Sequence, residues 1–90
     1  MNKPRRKQIQ EVINKLEAIQ EQLSELMADV ETIKDEEEEY RDNIPENLQS
    51  SERYERAEES CDALDEANNT LEEADSYISD VIESLTNAME

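Results

Sequence analysis

The chain has 90 residues, with 26 acids against nine bases, a net charge of −17, and no histidine, glycine, tryptophan or phenylalanine. That length holds one domain at most, and a glycine-free composition argues against tight-turned sheets and against phosphate-cradling glycine loops. The acid excess disfavours duplex nucleic acid and anionic membrane as partners, because both are bound by Lys and Arg neutralising phosphates.

A single cysteine, Cys61, excludes an internal disulfide and any cysteine-based zinc site. No apolar run is long enough for a signal peptide or a membrane span, so a soluble, cytoplasmic protein is expected. High charge with few aromatics is also the composition of disorder, but the periodicity of the chain argues for order.

Residues 1–7 carry Lys3, Arg5, Arg6 and Lys7 and no acid. They read as a basic tail, either solvated or forming the start of the first helix with Pro4 near its first turn. Other readings are a phosphate-contacting arm and a partner for the acidic arm of a neighbouring subunit.

The first arm, residues 8–41, shows two seven-residue apolar series. Ile9, Leu16, Leu23 and Val30 form one; Val12, Ile19, Leu26, Ile33 and Tyr40 form the other. An offset of three places them at heptad positions a and d, the signature of a coiled-coil helix. Ile13 and Met27 widen the stripe at e, which suits contact with more than one helix. The a series fails at Glu37, inside the run Asp35–Glu39, so packing is expected to loosen there.

Residues 42–50 form the connection. Asp42, Asn43 and Pro45 stop the helix, and Ile44 is pushed from helical geometry by the proline after it. One short turn over Pro45–Leu48 is expected, with Ile44 and Leu48 closing the end of the bundle. Ser50 or Ser51 is expected to cap the next helix, with Glu52 favourable in its first turn.

The second arm, residues 51–89, repeats the heptad. Ala57, Leu64, Leu71, Ile78 and Leu85 fall at a, and Ser60, Ala67, Ala74, Val81 and Ala88 at d. Cys61, Ile82 and Met89 extend the stripe at e, Ala63 and Tyr77 at g. From Ala57 onward there are eleven acids and no base. Two arms of similar length and a short connection predict an all-α fold: an antiparallel helical hairpin in a single domain. A lone hairpin buries little apolar surface, so self-association into a helical bundle is expected, with a dimer the simplest state. Its core is expected from Ile9, Val12, Leu16, Ile19, Leu23, Leu26, Val30 and Ile33, and from Leu64, Leu71, Ile78, Val81 and Leu85.

Enzyme chemistry finds no carrier. Nothing here serves as a histidine base, Cys61 has no histidine to activate it, di-metal bundle sites need Glu-x-x-His, and a calcium loop needs its glycine. A non-catalytic protein without metal or cofactor is expected. Two binding readings remain. Arg41, Arg53 and Arg56 are the only arginines after residue 6, and Tyr40 and Tyr54 flank the connection. Arginine gives bidentate phosphate contacts, tyrosine offers a face to a base, and Ser50 and Ser51 sit where a helix N-terminus exposes N–H groups. These are the parts of a site for an anionic, nucleotide-like ligand. The bland alternative pairs the arginines with nearby Glu and uses the tyrosines as core caps. The second reading takes the acidic faces as a nucleic-acid mimic for a basic host protein, against a plain solvated surface. A third reading is a structural coiled coil with no ligand.

The segment EEEEYRDNIPENLQSSERYERAEE, residues 36–59, followed by acidic helix with spaced leucine and alanine, resembles a group of small proteins from phages and prophages of Firmicutes-type bacteria. The resemblance implies a phage accessory protein acting in the cytoplasm of an infected host. Such proteins often block host defence, by occupying a nucleic-acid cleft or by sequestering a nucleotide immune signal. The expected function is therefore a binding protein that sequesters such a signal at the Arg/Tyr tip, with the acidic mimic as the alternative.

Overall fold

Glu, Leu, Ala, Ile and Gln supply the helix propensity of both arms, and polar caps fix where each helix begins. The computed structural model describes residues 1–90. Helix α1 runs Lys3–Asp42 and helix α2 runs Glu52–Ala88, with one 3-10 turn at Glu46–Leu48 and no strand. The fold is the all-α antiparallel hairpin that the heptads predict.

At the start of α1 the Asn2 side chain accepts a hydrogen bond from the Arg5 amide at 2.8 Å, and Pro4 lies in the first turn. Residues 3–7 are thus helix, not a tail. An Asn cap and a proline with its φ already set outweigh the misfit of bases at the positive end of a helix dipole.

The first helix ends where Pro45 has no N–H to offer. The Asn43 amide reaches back to Glu39 at 3.0 Å and the Ile44 amide to Arg41 at 3.1 Å. No residue of the turn needs a positive φ, which is how a chain without glycine makes it. Ser51 is the second N-cap, its Oγ accepting from the Tyr54 amide at 3.3 Å. Ser50 takes no part. Ile44 plugs the closed end and is buried, whereas Leu48 stays 44% exposed. Only one of the two expected plugs is used, since the 3-10 turn that holds Leu48 buries no residue.

The rod measures 70 × 16 × 13 Å. Only Ile13, Ile44, Ala57 and Cys61 are buried. Residues facing the other helix fall at a and e: Ile9, Ile13, Leu16, Leu23, Met27 and Val30 in α1, and Ala57, Cys61, Leu64, Leu71, Ile78, Ile82 and Leu85 in α2. The d residues do not join them. Val12, Ile19, Leu26, Ile33 and Tyr40 are 44–51% exposed, and Val81 is 47% exposed. The reason is geometric. Successive residues turn by about 100°, so a and e lie about 40° apart and bracket one line of contact, while d lies about 80° to one side of it.

Polar groups cross the seam on its other side, at positions e and b. Gln20 Nε2 donates to Ser79 Oγ at 2.9 Å and to the Asp75 carbonyl at 3.4 Å. Asn68 Nδ2 donates to the Met27 carbonyl and to a Glu31 carboxylate oxygen, each at 3.3 Å. Lys34 Nζ lies 2.9 Å from Asp65 and 3.6 Å from Glu38. Such crossings cost burial energy but tie α1 to α2 at three levels along the seam.

Two substitutions test these assignments in urea unfolding. Ser51→Ala lowers stability by about 1 kcal/mol while Ser50→Ala leaves the midpoint in place. Ile13→Ala, which empties the most buried position of α1, costs about 2–4 kcal/mol.

Candidate functional site

The connection brings the ends of α1 and α2 together around one shallow cleft of about 380 Å³, lined by Glu37, Tyr40, Glu52, Arg53, Arg56, Ala57 and Ser60. Arg53 Nε donates to the Tyr40 hydroxyl at 2.7 Å, and its guanidinium carbon lies 5.3 Å from the centre of the Tyr40 ring. The ring thus holds the cation by its face and its hydroxyl. Arg56 is paired one turn back with Glu52.

Of the seven residues proposed for a ligand, the cleft gathers three: Tyr40, Arg53 and Arg56. Helix phase separates the others. Tyr40 and Arg53 are d residues, and their neighbours Arg41 and Tyr54 are at e, about 100° further round. Arg41 therefore sits across the seam, with its Nε 3.1 Å from Asp42, and Tyr54 is half-buried on that same side. Ser51 spends its hydroxyl on the cap, and Ser50 is exposed in the turn. The first turn of α2 also carries Glu52 and Glu55, whose charges occupy the dipole field that an anion would use.

Two acids of the cleft, Glu37 and Glu52, lay outside the sequence-derived set. The signal for Glu37 was present, as the residue that breaks the a series. Each tip arginine has a partner: Arg41 with Asp42, Arg53 with Tyr40, Arg56 with Glu52. Beyond them, residues 35–66 hold fourteen acids against three arginines. The field at the tip is therefore negative.

Across the rest of the rod the acids take outward positions. Of the eleven acids after Ala57, ten fall at b, c or f, and only Asp75 falls at e; none falls at a, d or g. The run Asp35–Glu39 winds around α1, so no three carboxylates gather on a metal-sized centre. Among the bases, Lys34 is held in its charged form first by its hydrogen bond to Asp65, then by the charges of Asp65, Glu38 and Glu31, against some desolvation. The hydrogen bond to Asp42 does the same for Arg41.

Burial pushes the Cys61 thiol above its ordinary range; Arg41 pulls the other way, and Glu38, Glu37 and Asp62 add to the rise. It is a packed side chain rather than a nucleophile. At pH 8 the native thiol should react with iodoacetamide at least about tenfold more slowly than in urea. A raised folded pKa also means full stability below the ordinary thiol range and a decline as pH rises through it. Cys61→Ala should flatten that decline in a pH series of unfolding curves. No protein-family model, curated protein or solved structure matches the chain.

Proposed function

We propose that the protein is a non-catalytic, self-associating accessory binding protein of phage type, which counteracts host defence by presenting an acidic rod to a basic protein. The observation that supports this most directly is the placement of the acids. They cover the outward positions of both helices, with only Glu37 and Asp75 in the seam and none at d. With −17 along 70 Å, the hairpin carries one net negative charge per about 4 Å, and duplex DNA carries one per about 1.7 Å. The seam and its polar crossings hold those charges on stiff helices. A basic cleft evolved for phosphates meets a fixed array instead of a mobile tail, and long-range attraction steers the encounter.

This reading is preferred to ligand capture at the tip because each tip arginine is already paired and the surrounding field repels anions. The cleft of Tyr40, Arg53 and Arg56 supports the ligand reading as a second one. A nucleotide-derived signal would have to displace Glu52 from Arg56 and stack where Arg53 now lies.

The two readings separate cleanly. Immobilised protein should retain a basic protein from lysate of a Firmicutes-type host at low salt and release it to high salt or to duplex DNA. The quadruple change Glu58→Gln, Glu59→Gln, Asp62→Asn and Glu66→Gln should abolish retention, whereas Arg53→Ala should not. Retention that resists both salt and DNA, or that survives the quadruple change, counts against the acidic-rod reading. In calorimetry with cyclic nucleotides and ADP-ribose derivatives, heat that disappears in Arg53→Ala and Arg56→Ala would instead establish the tip.

A further inference from the structure

One broad side of the hairpin lacks a partner. In an antiparallel pair the d positions of both helices leave the seam on the same side, and Tyr40 and Ser60, both at d, do line one cleft. The large residues Val12, Ile19, Leu26, Ile33 and Tyr40 form a half-exposed stripe there, about 42 Å long at 1.5 Å per residue. Beside it runs the small stripe of α2, where Ala67 and Ala74 help line an apolar depression of about 560 Å³. At g the most acidic helix shows Ala63, Thr70, Tyr77 and Ser84, and Tyr77 is 67% exposed. A solvated face would share the acids that crowd b, c and f.

We infer that this d/g side is covered by a second copy of the chain, lying antiparallel so that the two tips point to opposite ends. This rests on the self-association in the reading above and adds its face and direction. Size supports a second copy: a 70 × 16 Å side gives a footprint of roughly 1,100 Å², above the ~800 Å² per partner of a stable interface.

Charge decides the direction. The tip third, residues 35–66, holds fourteen acids and three bases, whereas the open end, residues 1–15 and 80–90, holds five bases and four acids. Tips laid side by side would set two strongly negative ends within a Debye length of about 8 Å. Reversing one copy sets each acidic tip against a near-neutral, base-bearing end. The bases of that end are free to pair: Lys3, Arg5, Arg6, Lys7 and Lys15 make no ion pair within the hairpin.

A two-fold axis across the rods then lays α1 on its counterpart and α2 on its counterpart. Leucine and isoleucine fill the wider α1 layer, and alanine lets the two α2 helices approach closely. The g residues of α1 are Gln8, Lys15, Gln22, Asp29 and Glu36, basic toward one end and acidic toward the other. Reversal brings Lys15 beside Asp29 and Glu36 of the second copy. Two copies over one rod length carry a net charge per about 2 Å, close to the density of duplex DNA.

The test combines assembly and orientation. Sedimentation should give twice the 10.5 kDa chain mass for the wild type and for Glu25→Gln on the outer face. Leu26→Glu and Ala67→Glu should each give monomer with helix content retained. In a Cys61→Ala background, spin labels on Gln49→Cys should read an inter-copy distance near the 70 Å rod length. A monomeric wild type overturns both the inference and the self-association it rests on. A dimer that persists in Leu26→Glu and Ala67→Glu overturns the face alone. A tip-to-tip distance under about half the rod overturns the direction alone, and it does so even if the glutamate variants unfold.

Discussion

Two helices meet along a single line, and that line has room for two of the three apolar series that each arm carries. The rest of the structure follows from which two are chosen. Using a and e buries Ile13, Ala57 and Cys61 and puts Gln20, Lys34 and Asn68 where they reach across. It also turns Val12, Ile19, Leu26 and Ile33 to one side. A seam built from a and d would have hidden those residues, but Met27, Cys61, Ile82 and Met89 would then have been displaced. Within a hairpin, the width of the stripe leaves one series over.

Self-repulsion is the opposing term. Net charge this far from zero works against any compact state, and the chain answers by position rather than by pairing. Only four ion pairs form, and all involve exposed or partly exposed groups of the kind that contribute little. Keeping acids off a, d and g in α2 spares the seam and the apolar d/g side instead. The exception is instructive. Asp75, at e, lies where its backbone carbonyl accepts from Gln20, so the polar crossing occupies the position that a charge would otherwise disrupt.

The fold could be read from the sequence because its signals are local. Heptads, the Asp42–Pro45 stop and the serine cap each act within a few residues, and they placed both helices and the turn. The phase of the seam could not be read this way. The residues Ile13, Met27 and Cys61 showed that the stripes were wide, but which edge faces inward depends on the whole length of both helices. Which tip residues share a cleft could not be read for a related reason. Residues 40–56 look like one cluster in the chain, yet Tyr40 and Arg41, or Arg53 and Tyr54, leave a helix in different directions. Adjacency in sequence is no guide to adjacency around a helix. Leu48 fell to the same difficulty, since it ends a 3-10 turn of three residues and stays half exposed.

The hydrogen bonds of Gln20 and Asn68 bear on how far assembly can go. They face the side opposite the apolar stripe, with Lys34 and Asp65 beside them, so one broad side of the rod is oily and the other is wet. A molecule with two oily sides would add copies without end and grow into sheets or fibres. With one, pairing through a two-fold axis consumes the sticky surface of both partners and leaves only hydrated, acid-rich exteriors. The side-chain amides that cross the seam thus leave the hairpin a single apolar side, and any pairing through it would be self-limiting.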